Sequence, residues 1–211
     1  MIWVAEIGSC HQGSKSLAYE LIRKAKWAGA TIAKFQLGWD KETQLKYAGS
    51  YDERRYIDDW AEDLAKWCAN MDIEFMASIW SLEGLEVARS VGMKRYKIAH
   101  QMNDKDLIDA IRSDGKEVFW SGGHRGNWQI TTQDEYPSYP PVEIPDGIVG
   151  YSSHLHGIAD ALIAVSRGAE YIEKHICMSK YAGFPKDASF ALVPEEFRQM
   201  VDVGNEIARL R

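Results

Sequence analysis

Residues 147–176 read GIVGYSSHLHGIADALIAVSRGAEYIEKHI, two strand-like segments joined by an apolar helical segment. Side chains alternate between the faces of a strand, so Ser152 and His154 share one face, and Glu173 and His175 share one face of the next strand. Parallel strands joined by a crossover helix have their carboxyl ends at one edge of the sheet. We therefore expect His154 and His175 to lie side by side as candidate ligands of a divalent metal. A structural role for each histidine is the open alternative.

Strand and helix signals alternate along the rest of the chain in the same way. Apolar strand-like segments occupy residues 2–8, 31–37, 73–79, 95–99, 116–122, 128–132, 147–154 and 171–176. Helical spacing of apolar residues predicts helices over residues 15–28, 53–70, 82–91, 104–113, 158–167 and 194–210, with a polar loop at 38–52. Eight alternating units predict an α/β fold, the (β/α)₈ TIM barrel. Since about 250 residues are typical of that fold, we expect a shortened barrel that lacks about two helices, after strands 5 and 6.

Composition and charge indicate which kinds of protein this chain can be. A chain of 211 residues with 45% hydrophobic residues and a net charge of −6 predicts a single globular domain over residues 1–211. The absence of a basic run argues against nucleic acid, and the absence of a long apolar segment argues against a membrane span. The start of the chain lacks the pattern of an export signal, and three scattered cysteines fit a reduced compartment, so we expect a cytoplasmic protein.

Polar side chains recur on one face of strand after strand, where a barrel directs its chemistry inward. This set consists of Glu6, Lys34, Gln36, Ser78, Lys97, Ser121, Ser152, His154, Glu173 and His175. Two lysines and three hydroxyl groups near a metal pair predict an anion-binding pocket for a phosphorylated substrate. The alternative is that the lysines only form structural ion pairs with the two glutamates, although burying four charges for structure alone is costly.

Eight short motifs resemble those of the N-acetylneuraminate synthase family, which makes sialic, legionaminic and pseudaminic acids. They occur in the family's order along nearly the whole chain: AEIGSCHQG at 5–13, AKFQ at 33–36, YKIA at 96–99, WSGG at 120–123, EYPSYP at 135–140, GYSSH at 150–154, IEKH at 172–175 and DASFALVPEEF at 187–197. The resemblance implies a barrel enzyme, a transferase that joins phosphoenolpyruvate to an open-chain acylamino sugar and releases phosphate.

The same resemblance implies roles for individual residues. Mn²⁺ or Mg²⁺ would be held by His154 and His175 and would polarise the sugar aldehyde. Phosphoenolpyruvate would contact Lys34, Ser78, Lys97, Ser121 and Ser152, of which Ser78 replaces the threonine usual in the family. Gln36, in the same KFQ segment as Lys34, is a further candidate for substrate binding. Glu6, Glu173 and Asp187 are the candidates for proton transfer, the last because it corresponds to an acidic residue of the family's GPD segment.

The sequence also departs from the family pattern. The family's KIASG segment reads KIAHQM here, which places His100 and Met102 where a phosphate-contacting serine and an acidic residue are expected. Asp134 falls near the family's phosphate pocket, where a carboxylate repels phosphate unless it is protonated or paired. The family's SDH is SSH, with Ser153 replacing aspartate. The sequence also ends after the eighth unit, so we expect no C-terminal antifreeze-like domain.

These departures leave three functions open. The first is a minimal nonulosonate synthase, and the second is another metal-dependent aldol or lyase enzyme with a different donor or acceptor. The third is a degenerate, non-catalytic barrel that binds a partner. In addition, missing helices would leave apolar barrel flanks uncovered, and such patches often become interfaces. We therefore expect a homo-oligomer packed over residues 122–146.

Overall fold

The protein is a closed barrel of eight parallel strands, which confirms the predicted fold. The computed structural model describes residues 1–121, the backbone of 128–133, residue 144, and residues 146–181 and 185–211. Each strand pairs with the next one in the chain, and β8 pairs with β1. The strands are β1 (Ile2–Glu6), β2 (Ile32–Leu37), β3 (Glu74–Ile79), β4 (Arg95–Ile98), β5 (Glu117–Ser121), β6 (Trp128–Gln133), β7 (Gly150–Ser153) and β8 (Tyr171–His175).

Helices follow most strands and cover the outside of the barrel. They are α1 (Lys15–Trp27), α2 (Lys41–Ala48), α3 (Ala61–Asn70), α4 (Leu82–Ser90), α5 (Lys105–Ser113), α6 (Ala159–Ser166) and α7 (Pro194–Leu210). Among the described residues, no helix is long and apolar enough to cross a membrane. The prediction that helices are missing after strands 5 and 6 concerns residues 122–127 and 134–149. Most of these lie outside the described residues, as does most of the surface proposed for self-association.

Two local predictions were wrong. The segment predicted as a polar loop contains α2, because Asp40 caps it by accepting a hydrogen bond from the Thr43 amide at 2.8 Å, and Gly49 ends it in the left-handed conformation (φ 68°). The helix predicted from residue 53 begins only at Ala61. Two short 3₁₀ turns precede it, and between them Tyr56 has an extended backbone (φ −80°, ψ 128°) that interrupts the helix.

The strands separate two apolar regions. In the strands whose side chains are described, one face packs against the helices, as the alternation of side chains predicts. The other face points into the barrel, where a small cluster fills the end at which the strands begin: Val4, Ile32, Met76, Phe119 and Tyr171. Two residues further along β1, β2, β3, β5 and β8 the inward positions are polar. The barrel therefore has an apolar floor with a polar layer directly above it.

Candidate active site

Strand register assembles the polar layer from distant parts of the chain. Glu6 is level with Lys34 and with His175, Ser78 with Lys97, and Ser152 with Glu173. The charged members are almost fully buried, with exposed fractions of 2% for Glu6, 3% for Lys34, 2% for Lys97 and 6% for Glu173. Ser78, Ser121 and Ser152 are also buried. The structure thus brings the lysines, hydroxyl groups and glutamates of the sequence prediction into one layer.

Each lysine of this layer contacts a carboxylate and a hydroxyl group. Lys34 forms an ion pair with Glu6, lies 3.4 Å from Glu173 Oε1, and donates a hydrogen bond to Ser78 at 3.0 Å. Lys97 lies 3.5 Å from Glu173 Oε2 and donates to Ser121 at 2.7 Å. Ion pairing between the lysines and glutamates is therefore part of the site, and the anion-binding role of the lysines stays a prediction.

Glu173 is the centre of this network. Its carboxylate accepts hydrogen bonds from Ser152 at 3.0 Å and from the Tyr171 hydroxyl, and both lysines lie beside it. Burial raises the pKa of Glu173, but Lys34 and Lys97 together with the two hydroxyl donors outweigh burial and hold that pKa below its usual value. Glu173 is therefore the stable anion of the site.

Glu6 has the opposite character. Burial raises the pKa of Glu6 to about 7, and the neighbouring Lys34 only partly offsets that effect. Glu6 Oε1 accepts no hydrogen bond from the described residues. A carboxyl group whose pKa lies near neutrality can both donate and accept a proton at physiological pH. Two carboxyl groups in one layer are thus held in different protonation states.

The two histidines lie together at the open end of the barrel. Their ring centroids are 5.3 Å apart, and the Phe190 ring packs edge-on against both, 5.3 Å from His154 and 5.2 Å from His175. Burial lowers the pKa of His175 to about 4, while the negative charge of Asp187 partly opposes this effect. His175 is therefore neutral near pH 7, the form that binds metals.

Two unpaired side-chain atoms lie beside the histidine pair. His175 Nδ1 has no hydrogen-bond partner within the described part of the chain. A side-chain carbon on Gly8 would lie 2.8 Å from Glu6 Oε1 and 3.6 Å from His175 Nδ1, so both unpaired atoms border the same gap. Imidazole nitrogens with a carboxylate oxygen suit a divalent metal. Within the described part of the chain, no group of three or more His, Cys, Asp or Glu side chains is arranged so that it could hold a metal ion.

The remaining predicted residues occupy different surroundings. Gln36 is partly buried, and none of the described residues donates a hydrogen bond to its Oε1. Asp187 lies in a 3₁₀ turn, Lys186–Ser189, just before Phe190. His100 is exposed, whereas Met102 is buried and its Sδ lies 3.6 Å from the Tyr47 hydroxyl. Asp134 lies outside the described residues.

Three residues of the site were not among the predicted ones. Tyr171 and Phe190 contact Glu173 and the histidine pair, respectively. Gly8 has a positive φ of 49° and lacks the side-chain carbon that would come within 2.8 Å of Glu6 Oε1. The alternation of β8 already placed Tyr171 on the same face as Glu173, so that residue could have been included. No comparable pattern in the sequence indicates the position of Phe190.

A match to a protein-family model shows which family this barrel belongs to. The model of the NeuB family matches residues 21–133 and 144–210, most of the chain. The chain belongs to the NeuB family. This membership confirms the resemblance found in the sequence motifs and identifies the polar layer as the interior of a NeuB-type barrel.

Curated NeuB-family relatives are similar over almost all of the chain. A pseudaminic acid synthase from Campylobacter jejuni is 27% identical over 245 aligned positions, which cover 94% of this chain and 71% of the relative. N-acetylneuraminate-9-phosphate synthase from Homo sapiens is 26% identical over 247 positions, covering 94% of this chain and 67% of the relative. Both relatives are therefore longer than the part that this chain matches.

Solved structures show the same barrel. The N-acetylneuraminic acid synthetase from Leptospira borgpetersenii, determined in complex with citrate, superimposes with a TM-score of 0.81 at 22% identity, covering 99% of this chain and 84% of that chain. At this level of identity the likeness establishes the fold. The NeuB-family barrel is thus the architecture on which the site is built.

Proposed function

We propose that this protein condenses phosphoenolpyruvate with an open-chain acylamino sugar, with a divalent metal, to give a nonulosonic acid and phosphate. The relatives named as pseudaminic acid and N-acetylneuraminate-9-phosphate synthases support a reaction of this class. The observation that carries the proposal is the convergence of Lys34 and Lys97 on Glu173 in one buried layer of the barrel that also contains His175.

The lysines bind the donor in this proposal. Phosphoenolpyruvate carries phosphate and carboxylate oxygens that can compete with Glu173 for the ammonium groups of Lys34 and Lys97. When Glu6 is protonated, the two lysines and Glu173 give the layer one net positive charge, which favours the binding of an anion. Ser78, Ser121 and Ser152 supply hydroxyl groups that can turn toward the same oxygens. Little solvent reaches these groups, so their interactions with an anion are stronger than in water.

Carbon–carbon bond formation requires that C3 of phosphoenolpyruvate attacks the sugar aldehyde. Water then adds at C2, and phosphate leaves from the resulting tetrahedral intermediate. The aldehyde oxygen gains a proton and the attacking water loses one. Glu6 is a candidate for exchanging these protons because its pKa lies at about 7 in the metal-free protein, and a bound cation would lower that pKa. Glu173 stays ionised and holds both lysines in place, and Asp187 remains a second candidate for proton transfer.

His154 and His175 are the residues that would hold Mn²⁺ or Mg²⁺, with Glu6 beside them. A bound divalent cation supplies Lewis-acid polarisation of the sugar aldehyde. Phe190 packs against both imidazole rings and limits their rotation.

Phosphate release tests the proposal. Purified protein with Mn²⁺, phosphoenolpyruvate and a panel of acylamino hexoses is expected to release inorganic phosphate only when both substrates are present. The Lys97→Ala variant should lose this activity, and Lys94→Ala, which changes an exposed lysine just before β4, should keep it. Absence of phosphate release with every aldose tried would contradict the proposal.

A specific observation favours a second candidate, a metal-dependent aldol or lyase enzyme that uses another donor. Position 100 carries an exposed histidine, and position 102 a buried methionine that contacts Tyr47, so neither supplies the groups expected near the donor phosphate. A sugar phosphate that raises the melting temperature of the Mn²⁺-loaded protein, with no effect of phosphoenolpyruvate, would support this candidate over the first.

A further inference from the structure

A second buried polar cluster lies outside the polar layer, on the outer side of β7 and β8. Its centre is Lys174, which alternates with Glu173 and His175 along β8 and therefore points away from the barrel interior. Lys174 is only 1% exposed, yet it has no part in the mechanism above. Burying an ammonium group costs free energy unless the group is paired and hydrogen-bonded. The groups around Lys174 must therefore compensate its charge.

The partners of Lys174 come from β7, the loop that follows it, and α6. Lys174 Nζ donates to the Leu155 carbonyl oxygen at 2.6 Å and to Ser153 Oγ at 3.0 Å, and it lies 3.7 Å from Asp160 Oδ1. The Ser153 hydroxyl donates to Asp160 Oδ2, which also accepts from the Tyr151 hydroxyl at 3.1 Å. The cluster is thus an ion pair held together by two hydroxyl groups.

The cluster binds the backbone on the C-terminal side of His154. Ser153 Oγ accepts a hydrogen bond from the Leu155 amide at 3.1 Å, while the Leu155 carbonyl accepts from Lys174. Both polar groups of the Leu155 backbone are therefore held by the cluster. Ser153 itself donates one hydrogen bond and accepts two, which is the full capacity of a hydroxyl group. Consequently His154 lies between two residues whose positions the cluster fixes.

We propose that Lys174, Ser153 and Asp160 are positioning residues that set the direction of the His154 imidazole toward a metal ion. The inference rests on the proposed metal site at His154 and His175. None of the three side chains touches substrate or metal in this proposal, and they act only through the backbone of residues 153–155. Groups that orient a metal ligand commonly change metal affinity by about 10- to 100-fold when they are removed.

The electrostatics fit a positioning role. Asp160 Oδ1 lies 3.7 Å from Lys174 Nζ, so the carboxylate offsets part of the cost of burying the ammonium charge. An ammonium group is a strong donor to the Leu155 carbonyl, since hydrogen bonds from charged groups are roughly twice as strong as neutral ones. Asp160 therefore compensates the buried charge of Lys174, and Lys174 in turn holds the Leu155 backbone.

Manganese affinity, measured by titration calorimetry and by the paramagnetic resonance spectrum of bound Mn²⁺, tests the proposal without an activity assay. Lys174→Met removes the donor to Leu155, and the milder Ser153→Ala keeps the inference testable if Lys174→Met does not fold. Each variant should bind Mn²⁺ about 10-fold more weakly or worse, with an altered resonance spectrum. Ile172→Val is the matched control, because it shortens a buried apolar residue of the same strand and removes none of the polar groups of the cluster.

The outcomes separate this inference from the metal site itself. Weaker binding in the cluster variants, together with wild-type affinity in Ile172→Val, supports the positioning role. Wild-type affinity in the cluster variants, or an equal loss in Ile172→Val, overturns the inference and leaves the metal site intact. Failure of the unmodified protein to bind Mn²⁺ overturns the metal site, and the inference with it.

Discussion

Lys97 Nζ lies 3.5 Å from Glu173 Oε2, although β4 and β8 face each other across the barrel. Lys34, on β2, approaches the other oxygen of the same carboxylate at 3.4 Å. One carboxylate therefore links three strands through the interior. An anion that enters this layer meets both ammonium groups at once, so donor binding should depend on each lysine.

The first prediction concerns Lys97→Ala. A hydrogen bond to a charged group contributes about 1.5–3 kcal/mol, so this variant should bind phosphoenolpyruvate about 10- to 150-fold more weakly. Titration calorimetry with the Mn²⁺-loaded protein measures the change. Lys94→Ala should bind like the unmodified protein because Lys94 is exposed. Unchanged affinity in Lys97→Ala would mean that the donor does not enter the polar layer.

The second prediction concerns the histidine pair. His175→Ala and His154→Ala should each lose most bound Mn²⁺, since a cation held by few protein ligands depends strongly on each one. Metal content after dialysis, measured by atomic absorption, gives the result. His156→Ala is the control, because His156 is exposed and lies two residues beyond His154. Equal metal content in all three variants would favour a barrel without a metal centre.

The fold followed from the alternation of strand and helix signals along the sequence, and most of the candidate site followed from the alternation of side chains along each strand. A period of two fixes which residues face inward, and parallel pairing brings those residues to one level, as Glu6 and Lys34 illustrate. The apolar residues two positions earlier, such as Val4 and Ile32, form the floor by the same rule. The rule needs no knowledge of loops or helices, which explains its success here.

Contacts between different faces or through loops could not be predicted in this way. The change from aspartate to serine at position 153 was visible as a departure from the family pattern, but its partners on α6 and β8 appear only in three dimensions. Asp160 and Lys174 are 14 positions apart in the sequence, with no periodicity linking them. Likewise, α2 depends on the N-terminal cap provided by Asp40. A single aspartate in a polar segment does not by itself predict a helix.

The third prediction is a pH dependence of stability set by Asp58. Both Oδ atoms of Asp58 lie 3.0 Å from the Gly38 amide nitrogen, and burial raises the pKa of Asp58 from 3.8 to about 6. The folded protein thus binds this proton more tightly than the unfolded chain. The contribution of Asp58 to the free energy of unfolding should therefore fall as pH rises from about 4 to about 6 and stay low above that range.

Urea unfolding at a series of pH values checks this sign. Asp58→Asn keeps an oxygen acceptor for Gly38 and removes the titrating charge, so the variant should gain about 1–2 kcal/mol relative to the unmodified protein between pH 4 and pH 7. Asp59→Asn, at the exposed neighbouring position, should show no such pH-dependent gain. A gain that is constant from pH 4 to pH 7 would rule out titration of Asp58 as the cause.

The fourth prediction concerns Gly84, where α4 packs against the end of β2. A side-chain carbon at this position would lie 2.5 Å from the Gly38 amide nitrogen and 2.7 Å from the Leu37 carbonyl carbon, both backbone atoms that cannot rotate away. Alanine favours a helix over glycine by about 1 kcal/mol, but the overlap should outweigh that gain. We expect Gly84→Ala to lower the free energy of unfolding by about 2 kcal/mol, measured by urea unfolding. Ser90→Ala, exposed on the same helix, should change it by less than about 0.5 kcal/mol. If Gly84→Ala instead stabilised the protein, helix propensity would dominate and the close packing of α4 on β2 would be wrong.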